Sequence, residues 1–226
     1  MQISMENSKK QAAYNDKSNV IRKAYLVEPI IRHRIQDSLF YKQYLYLTNE
    51  ATILPVITSQ VKYIGSTNAN GKPTPFACCF LRLLELEPSR EIIEMCLHQL
   101  GTNEFKYLTA LIMLYIRVVW PSEDVLNTIE PFYSDYRKLR FQLKSPIMVK
   151  GMPILYKLSH MDVWCDDLLN NERVVDLILP RMVPRHILFE RGLIGERNYH
   201  GIVSENENES ENDSENNSDD YESDSD

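Results

Sequence analysis

Glycine is scarce, at 7 in 226 residues. A turn-rich β-sandwich or a glycine-rich dinucleotide loop draws on more than that. No apolar run approaches the roughly 20 residues of a membrane span; in the most apolar region the uncharged stretch Tyr107–Ile116 is ended by Arg117. The start, MQISMENSKKQ, lacks the apolar core of a secretory signal. Cys78, Cys79, Cys96 and Cys165 form no CxxC pair, which argues against zinc and thioredoxin-type chemistry. Without a secretory signal, the four are expected to be reduced and mostly buried.

Catalytic signatures are missing too: GxSxG, a P-loop, HExxH, an EF-hand loop and a dinucleotide fingerprint do not occur. His33, His98, His160, His186 and His200 are scattered without ligand spacing. Asp166 and Asp167 are neighbours, but adjacent helical side chains diverge by about 100° and read as a solvated face. The expectation is a protein with no catalytic residues, no metal and no cofactor. Basic residues are missing from Ser204–Asp226, which holds 11 of the 32 acids. The rest has 21 acids against 25 bases, so a body near +4 precedes a tail of −11. That asymmetry points to partners with charged surfaces.

What is present reads as helix. Residues 1–23 are a polar leader and 24–203 the ordered body, while 204–226, nearly devoid of apolar groups, is expected to stay disordered. Leu26, Ile30, Ile31 and Ile35 recur at helical spacing, with Arg32 and Arg34 off the stripe. Thr48 reads as an N-cap for a helix to Val61, and Thr74-Pro75 as a cap and first turn. Ser89 caps a helix from Glu91 to Leu100, whose acidic first turn suits the helix dipole. Residues 103–120 are apolar nearly all round and predict the buried central helix. Ser122 begins another, which Pro131 interrupts, and Phe132–Arg140 reads as a short basic, aromatic helix. Within 141–158, alternation and the central Lys150-Gly151 suggest a small hairpin near 147–158 or an irregular excursion. Ser159 to Asp162 resembles a capping box, 172–179 reads as a helix, and Pro184 opens a last one. The class expected is all-α, with about eight to ten short helices.

Several stretches together resemble the pre-mRNA-splicing factor 38 family: TyrLeuValGluProIleIleArgHisArgIle (25–35), GlyLysProThrProPhe (71–76), LeuGluLeuGluPro (84–88), the run 105–117, GluProPheTyrSerAspTyrArgLysLeuArg (130–140) and AsnGluArgValValAspLeuIleLeuProArg (171–181). The resemblance implies a nuclear, non-catalytic scaffold that acts with the tri-snRNP in spliceosome activation. It also implies a zinc-finger splicing factor and a microfibrillar-associated-protein relative as partners, with the chain a monomer within a larger complex. Two departures stand out: the chain stops at the acidic stretch, and 141–158 is apolar where relatives are shorter and more polar.

Arg32, Arg34, Tyr133, Asp135, Tyr136, Arg137 and Arg140 are the candidate partner contacts, exposed Tyr and Arg being suited to anchoring peptides. Ser204, Ser210 and Ser223, each with an acid three residues on, are candidate phosphorylation sites, each phosphate adding about −1.5 to −2 charges. The alternative is direct RNA contact through the clusters at 32–34, 137–140 and 181–186, the middle one interleaved with Tyr133 and Tyr136.

Overall fold

A helix that is apolar on every side needs neighbours on every side. That helix is α5 (Lys106–Val119), the longest α-helix of a structure, a computed structural model, that describes residues 22–102 and 104–197. The other α-helices among those residues are α1 (Pro29–Gln36), α2 (Ile53–Gln60), α3 (Pro75–Leu86), α4 (Arg90–His98), α6 (Ser122–Ile129), α7 (Met161–Asn170) and α8 (Arg185–Glu190). A wide helical turn covers Tyr41–Leu45, and tight ones Lys23–Leu26 and Glu130–Ser134. Every residue from Leu108 to Val118 is buried, with α2, α3, α4, α6 and α7 packed on α5. Each large apolar side chain so enclosed contributes on the order of 2 kcal/mol.

Local chemistry sets several boundaries. Thr74 caps α3 by accepting the Ala77 N–H at 3.2 Å, with Pro75 in the first turn. Trp120 and Pro121 end α5, and α8 follows Pro184. Tertiary bonds then join the helices. Trp164 of α7 donates to the Ala110 carbonyl of α5 at 3.1 Å. Its ring meets Phe76 and Phe141 edge-on at 6.1 and 5.5 Å. Arg117, 4% exposed, sends Nε to the Leu168 carbonyl (2.7 Å) and Nη1 to the Pro180 carbonyl (2.8 Å). Burial pulls its pKa down to about 10. Glu85 of α3 accepts from Gln36, Tyr41 and Arg82, which ties α1 and the wide turn to α3.

The chain is helical but not all-α. A long antiparallel hairpin pairs β1 (Lys138–Val149) with β2 (Met152–His160), from Lys138 opposite His160 to Val149 opposite Met152. Its turn is Lys150-Gly151, both left-handed at φ 49° and 80°, as a two-residue hairpin turn requires. Residues 143–146 bulge opposite Leu155. The other edge of β1 takes one parallel bridge, Ile64 to Phe141. The expected hairpin therefore exists but begins nine residues earlier than position 147. A smaller pair, β3 (Arg173–Val174) and β4 (Leu177–Ile178), turns through Val175 and Asp176.

Five local expectations are corrected. The basic helix over 132–140 is only a tight turn, because Pro131 and the Asp135 carboxylate, which accepts the Arg137 N–H, divert the chain into β1. The helix over 172–179 is the β3–β4 pair, closed by the bond from Leu179 N–H to the Glu172 carbonyl. Thr48 does not cap α2; its hydroxyl donates to Leu45, and Asn49 accepts the N–H groups of Ala51 and Thr52. Ser159 lies buried within β2 and His160 takes the N-cap position, so α7 starts without a side-chain cap. Ile30 is also off the core side, 76% exposed, while Leu26 and Ile35 are buried. The elements described here belong to a unit ending at Ile194; the leader up to position 21 and the tail at 204–226 lie outside the described residues.

Arg117→Ala removes a buried cation and strands two carbonyls. It is expected to cost about 3 kcal/mol in urea unfolding. A loss within 0.5 kcal/mol contradicts this anchoring role.

Candidate functional site

The segment 130–140 carries five of the seven candidate contacts, and the fold uses most of them internally. Glu130 accepts from Arg185 of α8 at 2.7 Å. The Tyr133 hydroxyl donates to Asp166 of α7 at 3.2 Å. Arg137 grips Asp135 through Nε and Nη2, the shortest contact being 2.6 Å, and also reaches Thr109 of α5 at 3.5 Å. The carbonyls of Asp135 and Arg137 accept the first N–H groups of α7, from Asp162 and Met161. An unsatisfied helix N-terminus is thus met by backbone oxygens in place of a side-chain cap. Tyr136, 71% exposed, and Arg140 are left facing outward.

Arg32 and Arg34 sit apart from these, on α1, which packs on α3 and the wide turn. Arg32 is half-buried, its guanidinium 4.5 Å from the centre of the Tyr25 ring, a cation–π arrangement. Arg34 is exposed. The exposed members are therefore Arg34, Tyr136 and Arg140, carried by elements with different packing partners. Ser204, Ser210 and Ser223 lie outside the described residues.

A cleft of about 390 Å³ opens between Gly65–Thr67, β1 and the β3–β4 turn. Its polar groups are bonded to one another, Asp167 accepting from Asn171. Asp176 accepts from Ser66 and from Lys144, and Arg173 donates to the Asp176 carbonyl. Partial burial opposes ionisation of Asp176, but the hydrogen bonds from Lys144 and Ser66 prevail and hold its carboxyl below the ordinary value. Across the cleft, partial burial and the Asp166 charge raise Asp167. Neither histidine nor cysteine lines the cleft. The expected burial of the cysteines holds for all four. Burial lifts the Cys78 thiol to about 11, raises Cys79 and Cys165 further, and raises Cys96. No group of His, Cys, Asp and Glu able to hold a metal occurs among the described residues, and no helix there is long and apolar enough to cross a membrane.

Two features escaped the sequence reading. Arg117 reads in sequence as the end of an apolar run, yet it is the buried anchor of α5. The hairpin carries exposed apolar side chains along its length; the alternation Met152, Ile154, Tyr156, Leu158 was the signal for it.

Comparison with known proteins places this chain among sequence relatives named as splicing factors. The PRP38 family pattern matches residues 16–192. Pre-mRNA-splicing factor 38 of Schizosaccharomyces pombe is 37% identical over 161 residues, 71% of this chain and 70% of that protein. Pre-mRNA-splicing factor 38A of Danio rerio is 35% identical over 175 residues, and that of Homo sapiens 36% over 168. The chain spans only about half the length of these two vertebrate proteins. A chain in the crystal structure of the Snu23-Prp38-MFAP1(217-258) complex of Chaetomium thermophilum superposes with a TM-score of 0.72 at 34% identity, over 84% of this chain and 95% of that one.

Arg137→Ala is expected to lower stability by about 1–2 kcal/mol, since it strips partners from Asp135 at the start of α7. Arg140→Ala stays within about 0.5 kcal/mol; equal losses in urea unfolding contradict this division. The thiols give a pH test. Their raised values make the folded state favour the neutral form, so this contribution is complete below the ordinary thiol value and is lost as pH climbs from about 9 towards 11. Disulfide-reagent labelling at pH 8 is expected to be slow on the native chain and rapid in denaturant. Fast native labelling contradicts the burial.

Proposed function

The chain belongs to the PRP38 family, and from that premise we propose that it acts in the nucleus as a non-catalytic scaffold of the spliceosome, joining the tri-snRNP for activation through protein contacts. The observation that carries this reading is the likeness to a chain crystallised in a Snu23-Prp38-MFAP1 complex, which spans 95% of that chain. The partners proposed are a zinc-finger splicing factor and a microfibrillar-associated-protein relative. The body supports the reading chemically: its cleft is self-satisfied, its thiols are buried, and its outward groups are a tyrosine and arginines. In this reading Arg34, Tyr136 and Arg140 touch partners. Arg32, Tyr133, Asp135 and Arg137 shape the surface around them. Phosphorylation of Ser204, Ser210 and Ser223 regulates the acidic tail.

The test is binding of the purified chain to the two partners of its own organism by calorimetry. Tyr136→Ser with Arg140→Glu is expected to weaken at least one complex by about tenfold, with circular dichroism unchanged. Unaltered affinity for both removes this surface from the reading. Binding to RNA alone, falling steeply with salt, replaces it with direct RNA contact.

A further inference from the structure

Antiparallel partners share a face of the hairpin, and alternate residues share it along each strand. Leu139 and Ser159, opposite each other, are buried, and the neighbouring Phe141 packs on Trp164. That face of the hairpin root looks into the core. The opposite face carries the pairs Arg140 with Leu158, Gln142 with Tyr156, Ile147 with Ile154, and Val149 with Met152. Its six apolar side chains, Ile147, Val149, Met152, Ile154, Tyr156 and Leu158, are each between 38% and 68% exposed. A continuous exposed apolar face of this kind marks an interaction site.

Charge says what covers it. Between Asp135 and Asp162 the sequence has no acid, and the hairpin carries Lys138, Arg140, Lys144, Lys150 and Lys157. Lys144 is paired with Asp176; the other four have no ion-pair partner among the described residues. A second copy would set cation against cation. The one ring of this face, Tyr156, is already packed on the half-buried Tyr63, centroids 5.2 Å apart, and the other five side chains are aliphatic or Met, where single-stranded RNA needs open stacking platforms. The chain's own 204–226 segment has 11 acids but a single large apolar residue, Tyr221, too little to cover six. We propose that the outward face of the hairpin docks an acidic, amphipathic segment of a protein partner, its apolar side on Ile154 and Leu158 and its carboxylates on Lys138, Arg140 and Lys150.

The experiment uses neither partner named under the proposed function, so the two readings fail separately. Fluorescence anisotropy of the full chain is measured with three labelled probes: an amphipathic Leu/Glu peptide, its Leu/Lys counterpart and an oligouridylate. Binding of the Leu/Glu peptide alone is expected. It should weaken more than about tenfold in Ile147→Ser/Ile154→Ser/Leu158→Ser, which spares Leu139 and Phe141 at the root. The surface charge variant Lys138→Glu/Lys150→Glu should also weaken it, and keeps the test open if the first variant unfolds. Equal binding of the Leu/Lys peptide, preference for the oligouridylate, binding of no probe, or self-association abolished by the triple change overturns the proposal.

Discussion

The enclosure of α5 is the constraint on which the rest of this structure depends. Eleven consecutive buried residues on one helix leave no solvated side, so five other helices are recruited to cover it. The same helix buries a cation. Arg117 is desolvated, and its guanidinium is satisfied by carbonyls at the end of α7 and in the segment after β4. Such a group is costly to bury alone and specific once bonded. It fixes which distant segments meet at the C-terminal half of α5, as Trp164 does at its middle.

That constraint also governs the 130–140 segment. It looks, residue by residue, like a binding epitope: two tyrosines and three basic groups in a row. Most of it instead holds α7 against α5. Asp135 and Arg137 neutralise each other, and their carbonyls accept the first N–H groups of α7. This stretch therefore serves the architecture first. Tyr136 and Arg140 remain available because alternation along an extended chain turns every second side chain away from the core. Docking surfaces in this protein are what is left over once the helix ends are satisfied.

The hairpin obeys a different logic. Its root is core, through Leu139 and Phe141, whereas its tip projects apolar groups that nothing in the described chain covers. Isolated two-stranded hairpins are marginal in water, and this one is tied to the body along its root half, by Ile64, Trp164, Tyr63 beside Tyr156 and the Lys144–Asp176 pair. An apolar, wholly basic projection on an otherwise well-satisfied body is where a partner gains most from contact.

Much of this was legible in the chain alone. The helical class, the buried α5, the Thr74-Pro75 start of α3, the stop at Pro121 and the Lys150-Gly151 turn all follow from local rules: side-chain period, capping oxygens, the missing proline N–H and positive φ at a tight turn. The buried state of the cysteines was legible too. What misled was short amphipathic sequence, in which 132–140 and 172–179 fit a helical period as well as an extended one. Only the three-dimensional structure decided these: Asp135 and Arg137 are engaged by α7, remote in sequence, and 172–179 folds back on itself, the Leu179 N–H closing onto the Glu172 carbonyl. It likewise decided that Arg117 is an anchor and Arg140 a surface group. The same guanidinium is either, according to whether carbonyls or water surround it.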